Sequence, residues 1–318
     1  MNSNDNPLVS IIINCFNGSE YIENAIESIL KQTYINFELI IWDNQSTDDS
    51  KNIISKFIDS RIRYFCADSH TNLYTARNKA VEKSRGDFIT FLDCDDWWEE
   101  TKIEKQIEKF KTGDFAIVYA NQRLIFDKKT RFGKHVDIFV CKFLSRNHIN
   151  KKILLRKGIN LEGNILRDII EDYKVGIATV MIRKELFDKF DDRFHIIGDF
   201  EFVIRTASKY SIGYIDEILA YYRVHGFNES FRMRKLQISE LKMWHKETEK
   251  NEVISKLNSF KKFKYKIRYL EAMDNVGDKD YKKVIKTIME IPFSLWKLKL
   301  RLLIILLSPS IVVKIFRT

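Results

Sequence analysis

No run in this chain approaches the roughly 20 uninterrupted apolar residues that a membrane-spanning helix requires. None of its four cysteines, at 15, 66, 94 and 141, stands in a Cys-x-x-Cys pair or at zinc-finger distance from a histidine. The first absence argues against an integral membrane span. The second argues against a thiolate zinc site, and free thiols in a reducing cytoplasm are expected. Residues 1–7 lack the basic and apolar segments of a signal peptide, and no internal repeat is evident. With 45% hydrophobic and 31% charged residues the composition excludes a disordered or fibrous chain. A length of 318 residues suits one large α/β domain with an appendage, or two domains.

The net charge of +10 is unevenly distributed. Residues 1–230 hold 33 Lys and Arg against 35 Asp and Glu, whereas residues 231–318 hold 21 against 9. A nucleic-acid-binding protein would carry its cations on a reading surface, but these lie on a terminal segment that ends in apolar runs, so no nucleic acid partner is expected.

Val9-Ser10-Ile11-Ile12-Ile13 is a β-branched run of strand type, turned by Asn14-Cys15-Phe16-Asn17-Gly18. Ile22, Ala25, Ile26, Ile29 and Leu30 then repeat at helical spacing, with Ser19 as the expected N-cap. A second strand at 37–42 ends in Asp43-Asn44-Gln45-Ser46-Thr47-Asp48, which caps a helix bearing Ile53, Ile54, Phe57 and Ile58. A strand at 62–66, a helix through Ala76-Arg77-Asn78 and a strand before Asp93 extend the alternation. It predicts a parallel, doubly wound sheet. Beyond it the pattern reads as a helix at 101–111, a strand at 115–119, an unassigned basic stretch at 127–167 and regular structure again at 175–183. A helix-like 184–190, a helix at 199–209, one or two strands in 214–224 and helices from 231 onward follow.

Phe88-Ile89-Thr90-Phe91-Leu92-Asp93-Cys94-Asp95-Asp96 runs an apolar strand straight into three carboxylates. Asp-x-Asp at the carboxyl end of such a strand sets hard oxygen ligands where open α/β sheets bind their ligands, which suits a divalent metal holding a diphosphate.

The combination resembles glycosyltransferase family 2, whose members have the GT-A fold and act on nucleotide sugars. The resemblance is carried by the 9–17 segment, by Ile40-Ile41-Trp42-Asp43-Asn44-Gln45-Ser46-Thr47-Asp48, by Ala76-Arg77-Asn78 with Gly86-Asp87 and the acidic turn, and by Gly198-Asp199-Phe200-Glu201 through Arg205 with Tyr222-Arg223-Val224-His225. Gln45 stands where glycine is usual, and Asn72-Leu73-Tyr74-Thr75 replaces the usual glycine-bearing loop. The resemblance spans about residues 8–230 and implies a mostly parallel GT-A catalytic domain at 1–230, with a nucleotide-binding half of about 1–100 and an acceptor half of about 101–230. A basic helical region occupies 231–318.

By that resemblance Asp43 accepts from a pyrimidine imide, the backbone near Asn14 and Phe16 forms the base slot, and Arg77 and Asp93 approach the nucleotide. Asp95 and His225 bind Mn²⁺ or Mg²⁺. Asp199 is the general base of an inverting displacement, with Glu201 as its rival. The bland readings are a turn residue for Asp43, a salt bridge for Arg77, a helix cap for Asp96 or Asp199 and core packing for Trp97 or Trp98. The implied donor is a UDP-sugar and the acceptor a lipid-linked oligosaccharide of a bacterial surface polysaccharide. A peripheral place on the inner face of the cytoplasmic membrane is expected, held by the basic, apolar segment at 296–307 with Lys314 and Arg317 beyond it. A non-catalytic scaffold of the same fold and a nucleotidyltransferase are the competing classes.

Overall fold

The computed structural model describes residues 6–126, 161–225 and 228–307, and these separate into two compact units. The basic stretch at 127–160, Cys141, Lys314 and Arg317 lie outside the described residues. Cys15, Cys66 and Cys94 are free thiols.

The first unit, 6–125 with 161–223, is built on an eight-stranded sheet in the order β3-β2-β1-β4-β7-β6-β8-β5. Its strands are β1 (Val9–Cys15), β2 (Phe37–Asp43), β3 (Ile62–Cys66), β4 (Phe88–Asp93), β5 (Trp97–Trp98), β6 (Phe115–Phe126), β7 (Met181–Arg183) and β8 (Ser211–Val224). The first four pair in parallel, as the alternation predicts. The strands beyond that alternation pair the other way: β7 runs antiparallel to β4, β6 to β7 and β8 to β5. Between β4 and β7 the chain passes through β5 and β6, so no single βαβ crossover joins the two and the rule that makes consecutive strands parallel does not apply to them.

Helix α1 (Ile22–Leu30) buries Ile22, Ala25, Ile26 and Ile29 against the sheet, joined in one core by Val9, Ile11 and Ile13. Ser19 does not cap it: the N-cap position is Tyr21, and the Ser19 amide instead donates to Asp48 Oδ2 at 2.9 Å. Helix α2 (Ser50–Ser55) stops before Phe57, leaving Ile58 wholly exposed rather than on a helical face. Helix α3 (Leu73–Glu82) is capped by Asn72, whose side chain accepts from Thr75 N–H. Helix α4 (Lys102–Lys111) brings a lysine into the core, where Lys102 Nζ donates to Thr90 Oγ1 at 3.0 Å and Gln106 Oε1 at 2.7 Å; burial pushes its pKa well down. Helices α5 (Leu166–Glu171) and α6 (Gly198–Ala207) complete the unit, whereas the helix expected at 184–190 is only a short 3₁₀ turn, Lys184–Leu186.

The second unit, from residue 224 to the end of the described chain, is helical: α7 (Glu229–Arg232), α8 (Arg234–Thr248), α9 (Asn258–Gly277), α10 (Tyr281–Glu290) and α11 (Trp296–Leu307). Ala272, Met273, Val276, Val284, Ile291 and Leu302 form a core of its own.

Gly86 precedes β4 where a Cβ would lie 2.6 Å from Leu8 O and 2.7 Å from Ser10 N. These backbone atoms lie at the start of the central strand β1 and cannot yield without disturbing its pairing with β4. Gly86→Ala is therefore expected to lower stability by about 1–3 kcal/mol in urea unfolding, with an unchanged midpoint as the contrary result.

Candidate functional site

The strands β1 and β2 end side by side, Cys15 opposite Asp43, and the loops that follow are laced together. Thr47 N–H donates to Asn17 Oδ1 at 2.8 Å and Asn17 N–H to Ser46 Oγ at 3.0 Å. Gln45 has φ +71°, which accounts for the glycine usual at this place; its side-chain amide donates to the Ala67 carbonyl, offsetting some of the strain. Asp43 is buried and oriented from two sides, Oδ1 accepting from Ser46 N–H at 2.7 Å and Oδ2 from the Tyr64 hydroxyl at 2.6 Å. Burial first, then Asp43, raises the Tyr64 pKa, so the phenol remains a donor. Phe16 leaves its ring 48% exposed, 4.3 Å from the ring of His70, whose Nδ1 lies 2.9 Å from Asn44 O. Tyr64 and His70 escaped the sequence reading, since a tyrosine in a strand and a histidine in a loop carry no signal of their own.

At the end of β4, Arg77 reaches from α3 to Asp93, Nη2 to Oδ1 at 2.5 Å, and is itself only 2% exposed. The rings of Tyr74, Phe91 and Phe190 surround its guanidinium at 5.6–5.9 Å. Burial opposes the Arg77 charge, but Asp93, Tyr74 and Asp199 together outweigh it and hold the pKa above the ordinary value. Next to Asp93 in register stands Asn14, which pairs with Trp42 on its other side. The Asn14 side-chain oxygen and nitrogen and the Trp42 indole N–H are buried and without hydrogen-bond partners among the described residues. Such orphans cost about 1–3 kcal/mol each and mark a place completed by solvent or ligand.

Asp96 caps no helix, since α4 begins only at Lys102 with Thr101 in the cap position. Instead its buried carboxyl accepts the Arg223 N–H at 2.8 Å, tying the acidic turn to β8; burial, then Asp95 and Asp93, raises its pKa well above the carboxylate range. The Arg223 guanidinium donates to Asp95 O at 2.9 Å and lies 4.6 Å over Trp97. Trp97 stacks on Tyr221 at the surface, while Trp98 belongs to the core with its indole N–H on Ala178 O. Among the described residues no three His, Cys, Asp or Glu form a metal cage. Magnesium is commonly held by one or two carboxylates with substrate phosphates supplying the rest, so the half-exposed Asp95 beside a diphosphate is a donor set of fitting chemistry. His225 belongs to the second unit, where its N–H donates to Asn228 Oδ1 at 2.6 Å.

Asp199 lies in the first turn of α6, beyond the cap position at Ile197. Its Oδ1 accepts from Phe200 N–H at 2.7 Å and faces the Tyr74 hydroxyl at 3.4 Å, which also donates to Ile196 O at 3.0 Å. Gly198 lets the Tyr74 ring approach, because a Cβ there would come within 2.6 Å of it. Burial raises the Asp199 pKa despite the opposing pull of Arg77 and the Phe200 N–H, and Asp93 adds to the rise. Glu201 is committed elsewhere, to Arg205 at 2.7 Å. One buried cation thus acts on two carboxylates: Asp93 by contact, and Asp199 through the field.

A parallel half-sheet carrying an acidic turn at its carboxyl end, continued by antiparallel strands, is the GT-A fold. Residues 10–190 match the model of glycosyl transferase family 2, and the chain belongs to that family. It is 35% identical over 136 residues to the putative teichuronic acid biosynthesis glycosyltransferase TuaG of Bacillus subtilis, a match covering 42% of this chain and 54% of that protein. It is 38% identical over 121 residues to the UDP-Glc:alpha-D-GlcNAc-diphosphoundecaprenol beta-1,3-glucosyltransferase WfgD of Escherichia coli, covering 38% and 48%. These matches span about half the length of the relatives. The fold is similar to residues 1–349 of S. aureus TarS in complex with UDP-GlcNAc, with TM-score 0.60, 12% identity, and 96% and 89% of the two chains covered. It is also similar to a mannosyltransferase from Pyrobaculum calidifontis in complex with GDP-Man and Mn²⁺, with TM-score 0.53, 14% identity, and 76% and 64% covered.

If Asp199 takes a proton during turnover, its raised pKa sets the acid limb: the rate should fall at a pH above the ordinary carboxylate value of about 4. Tyr74→Phe removes a donor to the carboxylate and should move that limb further up. A kcat profile flat down to pH 4 in both proteins contradicts the assignment. Tyr64→Phe, which frees one Asp43 oxygen from its donor, should weaken nucleotide binding several-fold with little change in kcat, and unchanged affinity contradicts that role.

Proposed function

We propose that this chain is a metal-dependent, inverting glycosyltransferase that moves a sugar from a UDP-sugar to a hydroxyl of a lipid-linked glycan during assembly of a bacterial surface polysaccharide, at the inner face of the cytoplasmic membrane. The observation that carries the reading is Arg77, buried between Asp93 on the nucleotide side and Asp199, a desolvated carboxylate of raised pKa. A nucleotidyltransferase or a scaffold has no use for that second carboxylate. The names of TuaG and WfgD support the pathway class and a lipid-diphosphate acceptor, and the TarS complex supports a UDP-sugar donor.

In this reading Phe16 and Asp43 receive the base, Asp43 accepting from the imide N–H while Tyr64 and Ser46 keep its carboxylate aligned. Arg77 holds Asp93 still for the nucleoside and supplies positive charge close to the diphosphate. Asp199 accepts the acceptor hydroxyl proton as the new bond forms at the anomeric carbon, a contribution of about 10²–10⁴ in rate. A divalent ion held by Asp95 would neutralise charge on the departing diphosphate. The metal role of His225 rests on the sequence resemblance.

The test is a transfer assay with a panel of UDP-sugars and synthetic diphospho-lipid glycans, the product followed by proton NMR. A β-linked product from an α-linked UDP-sugar, abolished by Asp199→Asn, is expected. A product with retained configuration, or near-normal turnover in Asp199→Asn, would overturn the mechanism.

A further inference from the structure

Helix α11 has two apolar faces and only one of them is covered by the described residues. Leu302 is fully buried, and Leu298 and Ile305 pack partly buried beside it in the core of the second unit. At about 100° per residue, Trp296, Leu300, Leu303 and Ile304 fall on the opposite side of the helix, and there they are 44–56% exposed. Two more exposed apolar residues precede the helix in the chain, Met289 of α10 at 77% and Phe293 at 82%. Solvent-facing residues of this size are not a packing requirement of the unit, which closes without them.

Charge decides what covers the stripe. Lys297 and Arg301 border it on one side and Lys299 on the other, and no Asp or Glu occurs anywhere in residues 291–318. A second copy seated on this face by two-fold symmetry would bring the cations of both helices together, a repulsion that nothing acidic on the helix relieves. A bilayer with anionic headgroups meets the same pattern favourably, because the apolar residues enter the acyl boundary while the lysine and arginine heads reach back to the phosphates. The twelve described residues of α11 span about 18 Å against the roughly 30 Å hydrocarbon layer, and no helix among the described residues is long and apolar enough to cross a membrane, so this stretch is suited to lying in the interface.

We infer that the outer face of α11 is an anionic-lipid docking surface. This deepens the membrane-facing part of the function proposed above, and its test is independent of catalysis. Trp296 is the most exposed of the five tryptophans at 49%: Trp42, Trp98 and Trp244 are at most 7% exposed and Trp97 is half-buried against Tyr221 and Arg223, so Trp296→Phe isolates its signal. The full chain should sediment with vesicles containing phosphatidylglycerol and not with pure phosphatidylcholine. Its tryptophan emission should be quenched by brominated acyl chains in the wild type and not in Trp296→Phe. Leu300→Ser/Leu303→Ser should reduce vesicle partitioning at least tenfold, and each Lys297→Gln, Lys299→Gln or Arg301→Gln about fivefold at low salt. These side chains are exposed, or half-buried in the case of Lys299, and none is in the core of the unit, so thermal melts of the variants should match wild type and UDP binding should persist; lost UDP binding with intact vesicle binding would instead count against the glycosyltransferase reading alone. Equal binding to neutral and anionic vesicles overturns the inference. So does a Leu300→Ser/Leu303→Ser protein that still partitions fully, or one that merely converts a dimer to a monomer in sedimentation velocity.

Discussion

The contact between Arg77 and Asp93 organises the first unit. A guanidinium with 2% exposure is tolerated only where its charge is matched, and the match here comes from Asp93 at 2.5 Å, reinforced by Asp199. Removing one member of such a pair typically costs about 3–5 kcal/mol when both are buried; with Asp93 29% exposed, water can take part of the loss. The geometric consequence matters more than the stability. Helix α3 is pinned to the end of β4, beside the ends of β1 and β2, where the Asn14 amide and the Trp42 indole have no hydrogen-bond partner among the described residues. The ring of Tyr74, one turn before Arg77, packs on Gly198 and so fixes where α6 can start.

That arrangement separates the carboxylates by environment. Asp93 is held by a cation, Asp96 is buried against the Arg223 N–H and pushed well up, Asp95 stands half-exposed between them, and Asp199 is desolvated at a distance. In the proposed function four acidic groups of the same intrinsic chemistry would thereby serve four tasks: contact with a nucleoside, bracing of a strand, ligation of a cation and acceptance of a proton.

The parts of this arrangement visible in the sequence are those with local signatures. Strand β1 announces itself by β-branched residues, and the acidic turn by its position after an apolar run. Arg77 and Asp199 came from a family likeness; their juxtaposition is a property of the tertiary structure, since 122 residues of chain separate them. The misses have the same origin. Ser19 is chemically a good cap, but Asp48 from the neighbouring loop takes its amide. Asp96 looks like a cap because a helix follows, yet Arg223 of β8 competes for it successfully. The antiparallel half of the sheet and the roles of Tyr64 and His70 depend on strand order and on loop packing, neither of which has a periodicity to read.

The most direct test of the account is a calorimetric titration of UDP, GDP, dTDP and CMP into the purified full chain with and without Mn²⁺. The site described here predicts selective UDP binding that strengthens with Mn²⁺ and loses that dependence in Asp95→Asn. Binding of none of the four nucleotides, with or without the ion, would contradict it and leave a GT-A fold serving as a scaffold.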